Sequence, residues 1–198
     1  MVQAIALRRE HTITERARPA THGDLLDCID AFVFDESEAA LPFTARLARE
    51  NRWPKAYAAR AIEEYRRFMY LAVVAGHPVT PSDQVDQVWH LHLLYTRSYW
   101  DAFCGGVLGG PIHHGPTRGG RQESAKFHAW YERTLESYAR IFGEPPPADI
   151  WPESAIRFGA DLHHVRVNAA RNWIIPKPRL LPRWCQGIAA ALFVRPKC

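Results

Sequence analysis

The longest uninterrupted helical pattern in the sequence runs from about Lys55 to Ala75. Its apolar side chains recur every three or four residues, which places them along one face of an α-helix. This stripe consists of Ala58, Ile62, Tyr65, Met69, Ala72 and Val73. Gly76 follows directly and favours the end of a helix. A chain with this pattern must bury one long helix against other elements.

Two shorter helical stretches precede this one. The first begins around Asp24, which can cap it, and carries apolar residues at helical spacing. The second begins at Leu41-Pro42-Phe43 and reaches Asn51, where Trp53-Pro54 breaks the pattern. Both stretches are therefore predicted to be short helices.

The segment Thr80-Pro81-Ser82-Asp83 predicts the start of another helix. Its threonine can cap the helix, its proline suits the first helical position, and its aspartate completes a capping-box spacing. This helix is expected to continue to about Cys104, where Gly105-Gly106 ends it. A glycine-rich loop follows, and a last helix is expected from about Glu123 to Phe142.

These patterns predict an all-α fold, because the sequence contains no convincing alternation of apolar and polar residues and no internal repeat. We expect an irregular helical bundle of about four to five helices, with a glycine-rich loop and an extended basic C-terminal tail. The 47% hydrophobic and 12% aromatic content is sufficient for a packed core. The predicted organisation is a loose N-terminal arm (1–22), a helical core domain with a histidine-rich site (23–155) and a basic tail rich in proline and arginine (156–198).

The tail differs from the rest of the chain in charge. Residues 156–198 carry eight Arg or Lys and one acidic residue, whereas the first 155 residues carry 17 basic and 20 acidic ones. Such an excess favours an acidic partner, although a solvated tail is the alternative. If it docks, we expect a membrane protein or another anionic surface, contacted through Trp184, Ile188, Leu192 and Phe193.

Other features predict a cytoplasmic protein. The four cysteines are widely spaced in a chain that needs no disulfide staples, so they are expected to be reduced thiols. The N-terminal MVQAIALRRE does not match a secretory signal, and no apolar run approaches the roughly 18 residues that span a bilayer. Motifs typical of nucleotide-dependent enzymes, serine hydrolases and nucleic-acid readers are missing, so no specific nucleic-acid partner is expected.

Four histidines lie in the segment VDQVWHLHLLYTRSYWDAFCGGVLGGPIHHGP, at positions His90, His92, His113 and His114. Asp86 and His90 are four residues apart and share a helix face. His90 and His92 are roughly 200° apart around the axis, so they cannot both bind one ion from an undistorted helix. Imidazole and carboxylate together predict a divalent metal site, for zinc or iron.

Two arrangements of this site remain open. In the first, Asp86 and His90 are ligands, His113 or His114 supplies a third, and His92 packs elsewhere. In the second, His92 faces the site and Asp86 orients His90 or has another function. The first is favoured, since an i, i+4 pair with one distant residue is a common way to hold a catalytic metal with an open position.

A metal held in this way would support a metal-dependent hydrolase or a non-haem iron oxygenase acting on a small molecule or peptide. Tyr99 and Glu123 are the candidate proton-transfer residues. The alternative is a non-catalytic helical interaction module, in which the histidines and their neighbouring aromatics are core residues and the basic tail provides the docking surface.

The stretch AIEEYRRFMYLAVVAGHPVTPSDQVDQVWHLHLLYTRSYWDAFCGGVLGGPIHHGPTRGG, with FHAWYERTLESYARIFGEPPPADIWP after it, resembles a bacterial group within the glycine-rich domain-containing protein-like family. The hallmark of this group is VDxVWHxH, followed by a tyrosine, a cysteine and a glycine-containing turn. In this sequence it falls on Asp86, Trp89, His90, His92, Tyr99 and Cys104, with HHGP at His113 to Pro116. The family is a domain of unknown function, so the resemblance implies no particular reaction. The glycine-rich tail of the plant members is absent.

Overall fold

The computed structural model describes residues 22–115, 119–159, 167–168 and 170–175. The chain divides into two compact units, Met1–His164 and Val165–Cys198. Within the described residues there are seven helices and no strand, which confirms the all-α prediction. The helices are α1 (His22–Asp30), α2 (Phe43–Asn51), α3 (Lys55–Val74), α4 (Asp83–Leu94), a π-helix (Arg97–Leu108), α5 (Arg121–Phe142) and α6 (Ser154–Arg157).

Helix α3 lies at the centre of the first unit and packs against α1, α2, α4 and α5. The predicted stripe is buried, apart from Val73, which is partly buried. Burial extends beyond the stripe to Phe68, Tyr70 and Leu71, because α3 has neighbours on several sides. The central helix thus forms the wall against which α4 is packed.

Helix α1 begins at His22, so Asp24 lies in its first turn. The prediction that Asp24 caps this helix is therefore wrong. The segment that follows α1 is held by Arg66 of α3. The Arg66 guanidinium donates hydrogen bonds to the carbonyls of Ile29 and Phe32, the latter at 2.7 Å, and lies 4.8 Å from the ring centroid of Phe34. These contacts bring two phenylalanines against the core beside α4.

Helix α4 begins at Asp83, and its N-cap is Ser82, whose Oγ accepts a hydrogen bond from the Val85 N–H at 3.2 Å. The prediction that Thr80 caps this helix is therefore wrong. The Thr80 N–H instead donates to the Thr134 hydroxyl of α5 at 3.0 Å. Ser82 is the cap because it directly precedes the first helical residue.

The predicted single helix to Cys104 is also wrong. Helix α4 ends at Leu94, Tyr95 leaves the helical region with φ −88° and ψ 64°, and the π-helix begins at Arg97. Gly105 and its neighbour therefore lie inside a helix. The π-helix ends at Leu108 and is capped by Gly109, whose φ of +72° favours glycine. A Cβ at Gly105 would lie 3.3 Å from the Trp100 carbonyl oxygen, five residues earlier. This close approach favours glycine within the π-helix.

Residues beyond α5 complete the first unit. Trp151 is buried, and its indole N–H donates to Glu64 Oε2 of α3 at 2.9 Å. Helix α6 spans the predicted boundary between residues 155 and 156. Residues 1–21 of the predicted arm, and most of the predicted tail, lie outside the described residues. None of the described helices is both long and apolar enough to cross a membrane.

Candidate metal centre

Helix α4 presents Asp86 and His90 on one face, as their spacing requires. Asp86 lies in the first turn, where the positive end of the helix dipole stabilises a carboxylate. Its side chain is only 3% exposed, whereas that of His90 is 33% exposed. The helix therefore sets a buried acid beside an imidazole that reaches solvent.

The loop after the π-helix brings His114 to the same acid. His114 Nε2 lies 2.9 Å from Asp86 Oδ1, and His90 Nε2 lies 3.8 Å from Asp86 Oδ2. The rings of His90 and His114 are 4.5 Å apart between centroids. Among the described residues, these three side chains form a group whose ligand atoms all lie within 4.8 Å of one another. We call this group the Asp–His–His cluster.

These distances suit a transition-metal ion. Bonds of about 2.1 Å in a tetrahedral site place the ligand atoms about 3.4 Å apart. The 3.8 Å and 2.9 Å separations involve different oxygens of Asp86 and lie on either side of this value. One ligand atom from each residue lies within 4.8 Å of the other two, so side-chain movements would bring these atoms to tetrahedral spacing. An ion would replace the hydrogen bond that His114 now donates to Asp86. Since the His114 side chain is 6% exposed, the cluster is closed on one side and reaches solvent on the His90 side.

His92 lies away from the Asp–His–His cluster and is fully buried. Its Nδ1 is 3.0 Å from the Tyr65 hydroxyl, and its Nε2 is 3.2 Å from the Ser98 hydroxyl. Burial lowers the pKa of His92 to about 3, so the ring is neutral. Six aromatic rings surround it, from Phe32, Phe34, Phe43, Tyr65, Tyr99 and Phe103. We call this environment the His92 pocket.

The adjacent histidines of the loop have different neighbours. His114 packs edge-on against Trp89, with 4.7 Å between ring centroids. His113 is exposed, and its ring centroid lies 5.5 Å from that of Trp100. The structure therefore brings His114, and not His113, into the Asp–His–His cluster.

The two residues proposed for proton transfer have other partners. Tyr99 is fully buried; its hydroxyl accepts a hydrogen bond from the Trp89 indole at 2.9 Å and donates one to the Ile112 carbonyl. Burial raises the pKa of Tyr99 well above its usual value. Glu123 lies in the first turn of α5 and accepts a hydrogen bond from the Lys126 ammonium at 2.6 Å.

The contact of Trp89 with the His114 ring was not predicted from the sequence. Trp89 is three residues after Asp86, and this helical spacing was a signal that the two side chains are neighbours. The hydrogen bond between Tyr99 and the Ile112 carbonyl left no such signal in the sequence, because Ile112 follows an irregular turn. Cys104 is buried, and burial raises the pKa of its thiol, which disfavours a nucleophilic thiolate.

Comparison with known proteins places the chain in a family. The UCP032817-like family matches residues 27–131, more than half of the 198 residues. The match includes the VDQVWHLH segment and all three members of the Asp–His–His cluster. No curated protein and no solved structure gave a match. On the length of the family match, the chain belongs to the UCP032817-like family.

Proposed function

We propose that this protein binds a divalent transition metal through Asp86, His90 and His114. The observation that carries the proposal is the approach of two imidazoles and one buried carboxylate to within 4.8 Å. Two imidazoles favour zinc or iron over magnesium or calcium, which prefer oxygen ligands. A buried carboxylate beside two imidazoles would also offset much of the ion's charge.

A catalytic role is the next step of this proposal. When bound, zinc would supply a Lewis acid and a water of lowered pKa, and iron would supply the open positions of a two-histidine, one-carboxylate site. The half-exposed His90 marks the side from which a small molecule or peptide would reach the ion. Asp86 would hold the ion from the buried side. Hydrolysis and oxygenation are both compatible with this donor set.

The test is a metal titration of the full chain after removal of bound metal with a chelator. Calorimetry with Zn²⁺, and anaerobically with Fe²⁺, is expected to give one site per chain. Removal of outer-shell partners typically costs 10- to 100-fold in affinity, so loss of a ligand should cost at least about 100-fold. We expect this loss in Asp86→Asn, His90→Ala and His114→Ala.

His113→Ala is the matched control, since it removes the neighbouring imidazole of the same loop. Its affinity should stay within about 3-fold of the unmodified chain, because His113 lies outside the cluster. Absence of stoichiometric binding by the unmodified chain would overturn the proposal. Equal losses in His113→Ala and His114→Ala would overturn the assignment of His114.

A second function is favoured by exposed apolar side chains in the Val165–Cys198 unit. Trp173 is 94% exposed, Ile174 58% and Ile175 76%, within a stretch of strong positive charge. We propose that this segment contacts an anionic membrane surface. The full chain should then sediment with vesicles containing phosphatidylserine and not with neutral phosphatidylcholine vesicles. Trp173→Asp should weaken this sedimentation, and equal binding to both vesicle types would contradict the idea.

Two finer assignments accompany these proposals. The VDQVWHLH and HHGP segments support placement with the bacterial glycine-rich domain-containing proteins. The widely spaced cysteines support a reducing, cytoplasmic location. Fractionation of the native host cells would test the second assignment, and finding the protein in an oxidising compartment would contradict it.

A further inference from the structure

A chain of hydrogen bonds links the metal-binding helix to the loop that carries His114. The Trp89 indole of α4 donates to the Tyr99 hydroxyl at 2.9 Å, and that hydroxyl donates to the Ile112 carbonyl. All three residues are at most 1% exposed. Because water cannot replace these bonds in the interior, each one fixes its partner strongly.

The bond to Ile112 acts close to the Asp–His–His cluster. Ile112 lies two residues before His114, and its buried side chain and its hydrogen-bonded carbonyl together fix the start of the loop. The Trp89 ring also packs edge-on against the His114 ring. The loop is thus attached at one point through its backbone and at a second through the imidazole itself.

The π-helix makes this attachment possible. Its hydrogen bonds join residues five apart, so residues such as Tyr99 and Cys104 lie near one another on the same face. In an α-helix the same two residues would point roughly 140° apart. In this structure, Tyr99 and Cys104 are both buried, and the Tyr99 hydroxyl donates its hydrogen bond to the Ile112 carbonyl. The π-helix therefore presents the Tyr99 hydroxyl to the loop residue Ile112.

We infer that Tyr99 is a positioning residue of the metal centre, which holds Ile112 so that His114 meets Asp86. This inference rests on the metal-binding function proposed above. The Tyr99 hydroxyl hydrogen is engaged by a carbonyl and its oxygen by an indole, which favours this role over proton transfer. Tyr99 acts through His114 and not on the ion or a substrate.

The test compares Tyr99→Phe with Tyr131→Phe in the full chain. Tyr131 is an equally buried tyrosine whose hydroxyl donates to the Pro152 carbonyl at 2.7 Å, away from the cluster. Both variants should lower the melting temperature, because each leaves a buried carbonyl without its donor, and Tyr99→Phe should lower it more, because it also leaves the Trp89 indole without its acceptor. Only Tyr99→Phe should weaken Zn²⁺ binding, by about 10- to 100-fold, the range seen when outer-shell partners are removed.

Two further readouts separate positioning from a general loss of stability. The Co²⁺-loaded Tyr99→Phe protein should show a visible absorption spectrum that moves toward that of His114→Ala. In the His114→Ala background, Tyr99→Phe should change the residual metal affinity by less than about 2-fold, because the group it positions is gone. Full additivity of the two losses would overturn the inference.

The outcomes distinguish this inference from the proposed function. If the unmodified chain binds no metal, the proposed function fails. If it binds metal and Tyr99→Phe binds as tightly, only the inference fails. Should Tyr99→Phe not fold, Trp89→Phe removes the donor to the Tyr99 hydroxyl and keeps an aromatic ring beside His114. It should weaken Zn²⁺ binding by about 3- to 10-fold, and unchanged affinity would overturn the inference.

Discussion

The side of α4 that carries His90 and the side that carries His92 place the same imidazole group in different surroundings. His90 is half-buried beside the Asp86 carboxylate, whereas His92 is fully buried among aromatic rings and two hydroxyls. A carboxylate and a second imidazole create a place for a cation. Hydroxyls and aromatic rings stabilise a neutral ring, whose two nitrogens are both hydrogen-bonded. The surroundings of a histidine, more than its presence in a motif, therefore indicate its role.

The sharpest test of this comparison measures metal affinity and the free energy of unfolding in two alanine variants. His90→Ala should reduce metal affinity by at least about 100-fold. It should change the free energy of unfolding of the metal-free chain by less than about 1 kcal/mol, since the ring is part-exposed. His92→Ala should cost about 3 to 5 kcal/mol, because it leaves a cavity and leaves the buried Tyr65 hydroxyl without this partner.

Metal titration and urea unfolding of both metal-free variants provide the measurements. Tyr138→Phe, which alters a hydroxyl between α3 and α5, serves as a control for a general weakening of the core. If His92→Ala empties the metal site while the chain stays stable, the comparison of the two sides of α4 is wrong.

Acid should release the metal from the His90 side before it unfolds the chain. Protons compete with the ion for two imidazoles and a carboxylate. Release is expected below about pH 6, with a slope steeper than that of a single titrating site. Metal content after dialysis across a pH series, with circular dichroism of the same samples, measures both processes. Full retention of metal at pH 4 would contradict ligation by histidine.

Acid should lower the free energy of unfolding of the chain through His92. The pKa of His92 is about 3 in the folded chain and near 6.5 when unfolded. Between these values the unfolded chain binds a proton that the folded chain does not, so falling pH favours unfolding. The stabilisation is complete above about pH 6.5 and is lost progressively toward pH 3, at a rate of up to about 1.4 kcal/mol per pH unit.

This slope can be isolated by comparing the metal-free chain with His92→Gln. Glutamine offers a donor and an acceptor to the two hydroxyls but has no titrating group. Urea unfolding between pH 3.5 and 7 gives the free energy of unfolding as a function of pH. Its slope should be smaller in His92→Gln, by the contribution of one proton. Equal slopes in the two chains would show that His92 is already charged in the folded chain, or that it titrates identically when folded and unfolded.

The sequence predicted the parts of this fold that depend on periodicity. Helix α3 was expected from Lys55 to Ala75 and spans Lys55–Val74, because a long apolar stripe with clear breakers leaves little freedom. The π-helix was missed, since apolar spacing does not reveal a change from α-helical to π-helical hydrogen bonding. The Ser82 cap was missed because Thr80 and Ser82 are both good capping residues, and the start signal does not say which of them directly precedes the first helical residue.

The same limit applies to the site. Helical phase relates Asp86 to His90 directly, and the structure places both in the Asp–His–His cluster. The choice between His113 and His114 depended on an irregular loop, whose path is set by the burial of Ile112 and its bond to Tyr99. No periodic pattern in the sequence encodes that path. Residues fixed by a loop anchor therefore require the structure.

The smallest expected effect concerns the two hydroxyls that hold His92. The Tyr65 hydroxyl is in a fully buried residue and lies 3.0 Å from Nδ1, whereas Ser98 is part-exposed and lies 3.2 Å from Nε2. A neutral imidazole accepts at one nitrogen and donates at the other, so both bonds can form at once. Tyr65→Phe should cost about 1 to 2 kcal/mol, because the imidazole nitrogen it leaves cannot reach water. Ser98→Ala should cost about 0.5 to 1 kcal/mol, because its surroundings are wetter.

Urea unfolding gives both values, and metal affinity should stay within about 2-fold in each variant, because His92 is hydrogen-bonded away from the cluster. A larger cost for Ser98→Ala would mean that solvent does not reach the Nε2 side of the ring. A loss of metal affinity in either variant would show that the two sides of α4 are coupled, and the contrast between His90 and His92 would then describe one extended site.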